Sequence, residues 1–353
     1  MAKQTNSYKV TVDFKPWFDS GFWFTKLHMV EELGGKIPGG EIDLMHNGSP
    51  EALKLITDQH TGHLTIEKEG GNIYEIDIFI TQRRFFKNSL SLSFICITDK
   101  KFFTELIDAE WDDITNAINS LYPGKKDIRI KSDINNGVKI FQNHETNYSL
   151  CTKLAYSFKH NSIFAYGWEG FILKDIIGES DSKGNKEPEL SITGNIDIHQ
   201  IDSYFLHYDK KIYYKPENPW ELEDYPYTDY MSDNNRSIMF YDDYYLIGSD
   251  YYQLVDNYLF NRKYMQSELF TSFRVVGSSI PGYKLGDVLR YSRAEQDSKL
   301  PFEIFLVQSN ELFIAEEGSK ATDPNGLRFS WTSKFIGLEE NGLLLPEIDP
   351  TNI

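Results

Sequence analysis

Two groups of residues have the type and spacing to do chemistry: the pair His60 and His63, and the stretch from Tyr204 to Tyr264, which holds 14 of the chain's 22 tyrosines. His60-Thr61-Gly62-His63 offers two metal nitrogens. The intervening glycine and the extended Leu64-Thr65-Ile66-Glu67 that follows predict a turn there instead. Between Glu217 and Asp256 lie ten acidic residues and a single basic one, Arg236. Tyrosine and acid at this density suit a sugar cleft, where rings stack on sugars and a carboxylate pair hydrolyses a glycoside. They equally suit a protein interface, because tyrosine is large, amphipathic and loses few rotors on fixing. The carboxylate pairs Glu223-Asp224 and Asp242-Asp243 are sequence neighbours. On a strand such neighbours point to opposite faces and cannot flank one bond. The interface reading is the one carried forward, with Tyr225, Tyr227, Tyr230, Tyr244 and Tyr245 as candidate contacts. Leu343, Leu344 and Leu345 near the C-terminus join them by apolar character.

Other motifs resolve into structure. Gly34-Gly35-Lys36-Ile37-Pro38-Gly39-Gly40 invites a phosphate-loop reading, yet it lacks the G-x-x-x-x-G-K-[ST] order and leads into a strand-like Glu41–Met45. A β turn is expected. Residues 179–189 are a linker by composition and lack the D-x-D-x-D-G order of a calcium loop. Cys96 and Cys151 sit in apolar segments without C-x-x-C spacing, as reduced thiols of a cytoplasmically folded chain do. No catalytic residue, cofactor or metal is assigned, and the chain is expected not to be an enzyme.

At 353 residues, the chain exceeds what one core holds, so two to four compact units are expected. A 40% hydrophobic and 15% aromatic content supplies packed cores. The net charge of −17 argues against tight duplex binding, which needs clustered Lys and Arg. The start, Met1 to Asn6, has no apolar core of a secretion signal, and no apolar run suggests a membrane anchor.

The elements that must position these residues read as a mixed, β-rich α+β chain. From Ser272 to Leu338 the pattern predicts a small barrel: Phe273–Val276, then Lys284–Tyr291 after a Pro-Gly turn, then Phe302–Val307 and Glu311–Ile314 around Gln308-Ser309-Asn310. A last strand puts Leu327, Phe329, Trp331, Ser333 and Phe335 on one face. A barrel of similar plan is expected near the start, with strands at 9–14, 22–30 and 41–45, a short helix from Ser49-Pro50 to Ile56, and two closing strands. Those place Tyr74, Ile76, Ile78 and Ile80, and Leu90, Leu92, Phe94 and Cys96, inward, joined by a turn at Arg83-Arg84. Between the barrels, Ile114, Ala117, Ile118 and Leu121 mark one helix and Leu150, Leu154, Ala155 and Phe158 a second. A hairpin around Gly167-Trp168-Glu169-Gly170 follows. Asp250 to Glu268 also reads as helical.

This order of barrel, α/β unit and interrupted second barrel resembles the central baseplate hub protein of contractile-tailed bacteriophages, related to the hub portion of VgrG-type spike proteins. Residues 41–97 resemble that family's first barrel, and Trp111-Asp112-Asp113-Ile114 the start of its α/β domain. Phe141-Gln142, Tyr148–Phe158 and Phe164–Asp175 resemble its helix and hairpin, and Gly277 to Asp287-Val288 the opening of its second barrel. The resemblance implies two tube-like barrels with an α/β domain between them and an insertion in the second. The implied boundaries are 1–108 for the first barrel, 109–178 for the α/β domain, 190–205 with 272–342 for the second barrel, 206–271 for the insertion, and 343–353 for a tail.

By the same resemblance the chain is a homotrimeric virion component, assembled in the host cytoplasm. Its partners are itself, the hexameric tail tube protein, a central spike protein and neighbouring baseplate proteins. Genomic DNA would pass through its channel unbound, since an acidic wall does not hold a polymer with one phosphate charge per roughly 1.7 Å of duplex axis. A carbohydrate-active protein built on the tyrosine-rich segment and the hub of a non-phage contractile injection system are the alternatives.

Overall fold

The computed structural model of the chain describes residues 8–13, 22–46, 60–68, 71–129, 139–158, 162–176, 192, 194–196, 203–205, 210–216, 236–242, 246–247, 272–277, 280–291, 304–316 and 327–338. Alternating apolar residues set most of the early strands: β1 (Tyr8–Asp13), β2 (Phe22–Glu32), β3 (Gly39–His46), β4 (Thr61–Lys68), β5 (Gly71–Phe85) and β6 (Ser89–Ile95). Tyr74, Ile76 and Ile78 of β5 are buried, while Glu75 and Asp77 between them are exposed. The later strands are β17 (Ser272–Gly277), β18 (Val288–Tyr291), β19 (Ile304–Glu316) and β20 (Leu327–Leu338), preceded by β12 (Gly194–Ile196) and β13 (Ser203–Phe205).

These strands form one 12-stranded sheet in the order β1-β4-β5-β6-β3-β2-β19-β20-β17-β13, with β18 on β19 and β12 on β18. The sheet is largely antiparallel and curled. Early and late strands are therefore continuous across the β2–β19 pairing, from Glu32↔Ser309 to Lys26↔Ala315. His28 Nε2 and Glu311 Oε1 meet across that seam at 2.8 Å. The inner face buries Leu27, Met29, Ile42, Leu64, Ile78, Leu92, Leu312 and Trp331 in a single cluster.

Between the two sets of strands lie α1 (Lys101–Thr104), β7 (Leu106–Trp111), α2 (Ile114–Leu121), β8 (Lys126–Arg129), β9 (Lys139–Thr146), α3 (Asn147–Ser157), β10 (Ser162–Gly167) and β11 (Gly170–Asp175). Asp113 caps α2 by accepting from the Asn116 N–H at 2.7 Å, and Thr146 caps α3 through the Ser149 N–H at 3.2 Å. Ile114, Ala117, Ile118 and Leu121 face inward as their spacing predicts. Their core also contains Leu285, Val288, Ile304, Leu306 and Ile336, so the α/β unit rests on the late strands. Among the described residues of 206–271 are the parallel pair β14 (Lys210–Pro216) and β15 (Arg236–Asp242), and β16 (Leu246–Ile247), which pairs with β9.

Four local expectations are corrected. Gln308-Ser309-Asn310 does not separate two strands; β19 is one strand with a bulge between Val307 and Ser309. The bulge marks where β19 changes neighbour along one edge, from β2 to β18. Lys284–Asp287 is a turn before β18 instead of part of it, closed by the Asp287 N–H to Lys284 O bond at 3.1 Å. His63 lies within β4 instead of in a turn, and its Nδ1 meets Asp77 Oδ1 at 2.8 Å. Arg83 and Arg84 belong to β5; the turn falls at 86–88 and closes with Phe86 N–H to Ser89 O. In both strand cases, pairing across the sheet extended the strand past residues that locally favour a turn.

Gly34 and Gly35 form a seam between sheet and α/β unit, not a phosphate loop. Gly34 donates to Phe164 O at 2.8 Å, and a Cβ on Gly35 would meet Thr152 Cγ2 at 2.8 Å. Tyr148 closes the seam by donating to Gly35 O at 2.6 Å.

Candidate functional site

The polar residues that the fold brings together lie where the early strands, the α/β hairpin and the late strands meet. Glu31, from the end of β2, is buried. Its Oε2 accepts the Trp168 N–H at 3.0 Å, and its Oε1 accepts Asn310 Nδ2 at 2.9 Å. Asn310 Oδ1 in turn accepts from Ser333 Oγ at 2.8 Å. Ser333 Oγ also accepts the Trp331 indole N–H at 2.7 Å and the Tyr283 hydroxyl at 3.0 Å. One carboxyl thus ties β2 to the β10–β11 turn, β19 and β20.

Burial pushes the Glu31 carboxyl up to about 7, against the lowering effect of its bonds to Asn310 and Trp168. Desolvation wins because, among the described residues, no cation is hydrogen-bonded to it. Lys284, the cation that lowers it from a distance, pairs instead with Glu169 at 3.2 Å.

Trp168 is supplied by the α/β hairpin yet packs in the core of the sheet. Its ring stands edge-on to Tyr74 at 5.5 Å and to Trp331 at 5.8 Å. Its indole nitrogen is buried with no hydrogen-bond partner among the described residues. A cavity of about 270 Å³ opens beside it, lined by Glu31, Tyr74, Lys125, Lys126, Trp168 and Lys284 among others. Lys174 of β11 pairs with Asp287 at 2.9 Å, a second clamp between the α/β unit and the late strands.

Chemically this is a clamp more than an acid–base centre. Both Glu31 oxygens are engaged by fixed protein donors. No group of three or more His, Cys, Asp or Glu placed to hold a metal occurs among the described residues. Cys96 and Cys151 are free thiols, and burial raises both out of the reactive range. No helix among the described residues is long and apolar enough to cross a membrane.

No family model matches the chain, and no curated protein matches it in sequence. Solved structures do. The 43 kDa tail protein of prophage MuSo2 from Shewanella oneidensis superimposes with a TM-score of 0.53 at 8% identity, covering 98% of this chain and 100% of that one. A tail protein from Neisseria meningitidis MC58 gives 0.53 at 12% identity, covering 93% and 96%. The chain has the fold of these tail proteins. A Francisella PdpA–VgrG complex gives 0.51 at 10% identity, with 98% of this chain on 60% of that one.

In this tail-protein fold, the sequence reading missed the clamp. Glu31 falls just past the strand expected at 22–30 and Trp168 in a hairpin turn, and no local pattern marks either as a partner of Asn310. Only the run of polar residues in an apolar strand, Gln308-Ser309-Asn310, and Ser333 on an otherwise apolar face signalled buried polarity. Tyr225, Tyr227, Tyr230, Tyr244, Tyr245, Leu343, Leu344 and Leu345 lie outside the described residues. So do the expected helices at 49–56 and 250–268, the linker at 179–189, and Glu223-Asp224.

Proposed function

We propose that the chain is a structural, non-enzymatic component of a phage tail: a homotrimeric hub at the centre of the baseplate. It joins the hexameric tail tube to a three-fold spike and leaves a channel for DNA. The observation that carries this reading is the end-to-end likeness to two tail proteins, through a sheet in which early and late strands form one wall. In the hub reading the early strands to 108 and the late strands of 190–205 and 272–342 are two tube-like units fused at β2–β19. Three chains then present six similar units to the tube. The clamp at Glu31 and Trp168 fixes the α/β domain against both units. The net charge of −17 suits a bore that repels DNA. Residues 206–271 are assigned to contacts with neighbouring baseplate proteins and the tail 343–353 to the spike. The likeness to a chain of a PdpA–VgrG complex also supports a second setting, the hub of a non-phage contractile injection system.

An antibody against the chain tests the location on intact particles. Label at the spike end of the tail is the expected result. Label on the capsid, or none on particles and all in the soluble fraction, contradicts it.

A further inference from the structure

On a chain of net charge −17, one stretch runs the other way. No Asp or Glu occurs between Asp77 and Asp99, and Arg83, Arg84 and Lys87 stand within it. The structure puts all three at the tip of the β5–β6 hairpin, beside Phe85 and Phe86, which are 47% and 58% exposed. The tip extends beyond the strand that flanks β5. β4 follows β5 only as far as Thr61↔Phe79, while β6 continues with it to Phe85↔Leu90. Met45, 36% exposed, lies at the same end of the sheet through its pairing with Ser89. Two exposed phenylalanines flanked by cations have the composition of an interface centre with a charged rim.

We propose that this hairpin tip docks onto the acidic, tyrosine-rich stretch 217–256 of a second copy of the chain. Charge complementarity selects the occupant: that stretch carries ten acidic residues against one basic, with tyrosines to cover the phenylalanines. In the self-assembling hub reading, that stretch belongs to a second copy. Two different patches joined this way make a head-to-tail contact, the kind that closes into a ring. The inference rests on the self-assembling hub reading and names the contact that would hold the ring.

The test uses three full-length variants: Arg83→Glu/Arg84→Glu/Lys87→Glu, Glu223→Lys/Asp224→Lys/Asp229→Lys, and the two sets combined. Self-association is followed by light scattering over a concentration series, with circular dichroism as the folding control. Each triple variant is expected to need at least tenfold more protein to associate, and the combined variant to recover. Added salt weakens the wild-type contact in the same direction. A hairpin variant that forms rings like the wild type overturns the contact and leaves the hub reading standing. A wild-type chain that stays monomeric at every concentration overturns both. If the hairpin variant instead loses retention of a DNA oligonucleotide with self-association unchanged, the tip is a nucleic-acid contact and the proposal falls.

Discussion

Glu31 accepts the backbone N–H of Trp168 at 3.0 Å, across 137 residues of sequence. The bond holds the α/β hairpin so that the Trp168 ring enters the core of a sheet it does not otherwise belong to. Because Glu31 also binds Asn310, the same carboxyl fixes early strands, hairpin and late strands at one point.

That carboxyl makes stability depend on pH. Its value rises from the usual 4.5 in the unfolded chain to about 7 in the fold, through burial. Below 4.5 both states are protonated and its contribution is complete. As pH rises to about 7 the unfolded state releases its proton first, and stability falls. At 1.36 kcal/mol per unit the loss is on the order of 3 kcal/mol. Urea denaturation of the wild type and Glu31→Gln between pH 4.5 and 8 measures it: the wild-type midpoint should fall relative to that of the variant. Parallel curves contradict this.

Removing the Trp168 ring should cost more than any change on its turn. Trp168→Ala leaves a void between Tyr74 and Trp331 and is expected to destabilise by roughly 3–5 kcal/mol. Trp168→Phe keeps an aromatic edge, leaves a smaller void and gives up a nitrogen with no partner among the described residues, so it should cost clearly less. Denaturation midpoints of the two variants give the comparison.

Gly286 turns the chain into β18 with φ at +72°, and a Cβ there would meet Ile163 Cδ1 at 2.7 Å. Gly286→Ala therefore combines left-handed strain of about 1–2 kcal/mol with displacement of the α/β core. It should lower the melting temperature and loosen the adjacent Lys174–Asp287 pair. An alanine variant as stable as the wild type would mean that the turn relaxes freely.

Alanine at Leu343, Leu344 and Leu345 is expected to weaken incorporation into baseplates while leaving the fold intact. Quantitation of the chain in purified particles, beside a melting curve of the isolated variant, separates the two effects. Unchanged incorporation removes the tail from the assembly surface.

The strands and helices were legible because period-2 and period-3.6 patterns are local: Ile76, Ile78 and Ile80, or Ile114, Ala117 and Leu121, announce their own faces. Continuity of early and late strands was not legible, since the β2–β19 pairing joins His28 to Phe313 with nothing in either segment to specify the other. The Glu31 clamp was hidden for a related reason. Its members come from β2, the β10–β11 turn, β19 and β20, and a carboxylate at a strand end reads as solvated until the hairpin covers it. Arg83-Arg84 misled in the opposite sense, looking like a turn while pairing with Leu92 and Ser91.

The central claim is that three chains close into an open ring. Negative-stain imaging with light scattering across a concentration series, with and without the candidate spike protein, tests it most directly. The account predicts three-chain rings with a central opening wide enough for duplex DNA, stabilised by the spike. Compact monomers at every concentration, indifferent to the spike protein, would contradict it.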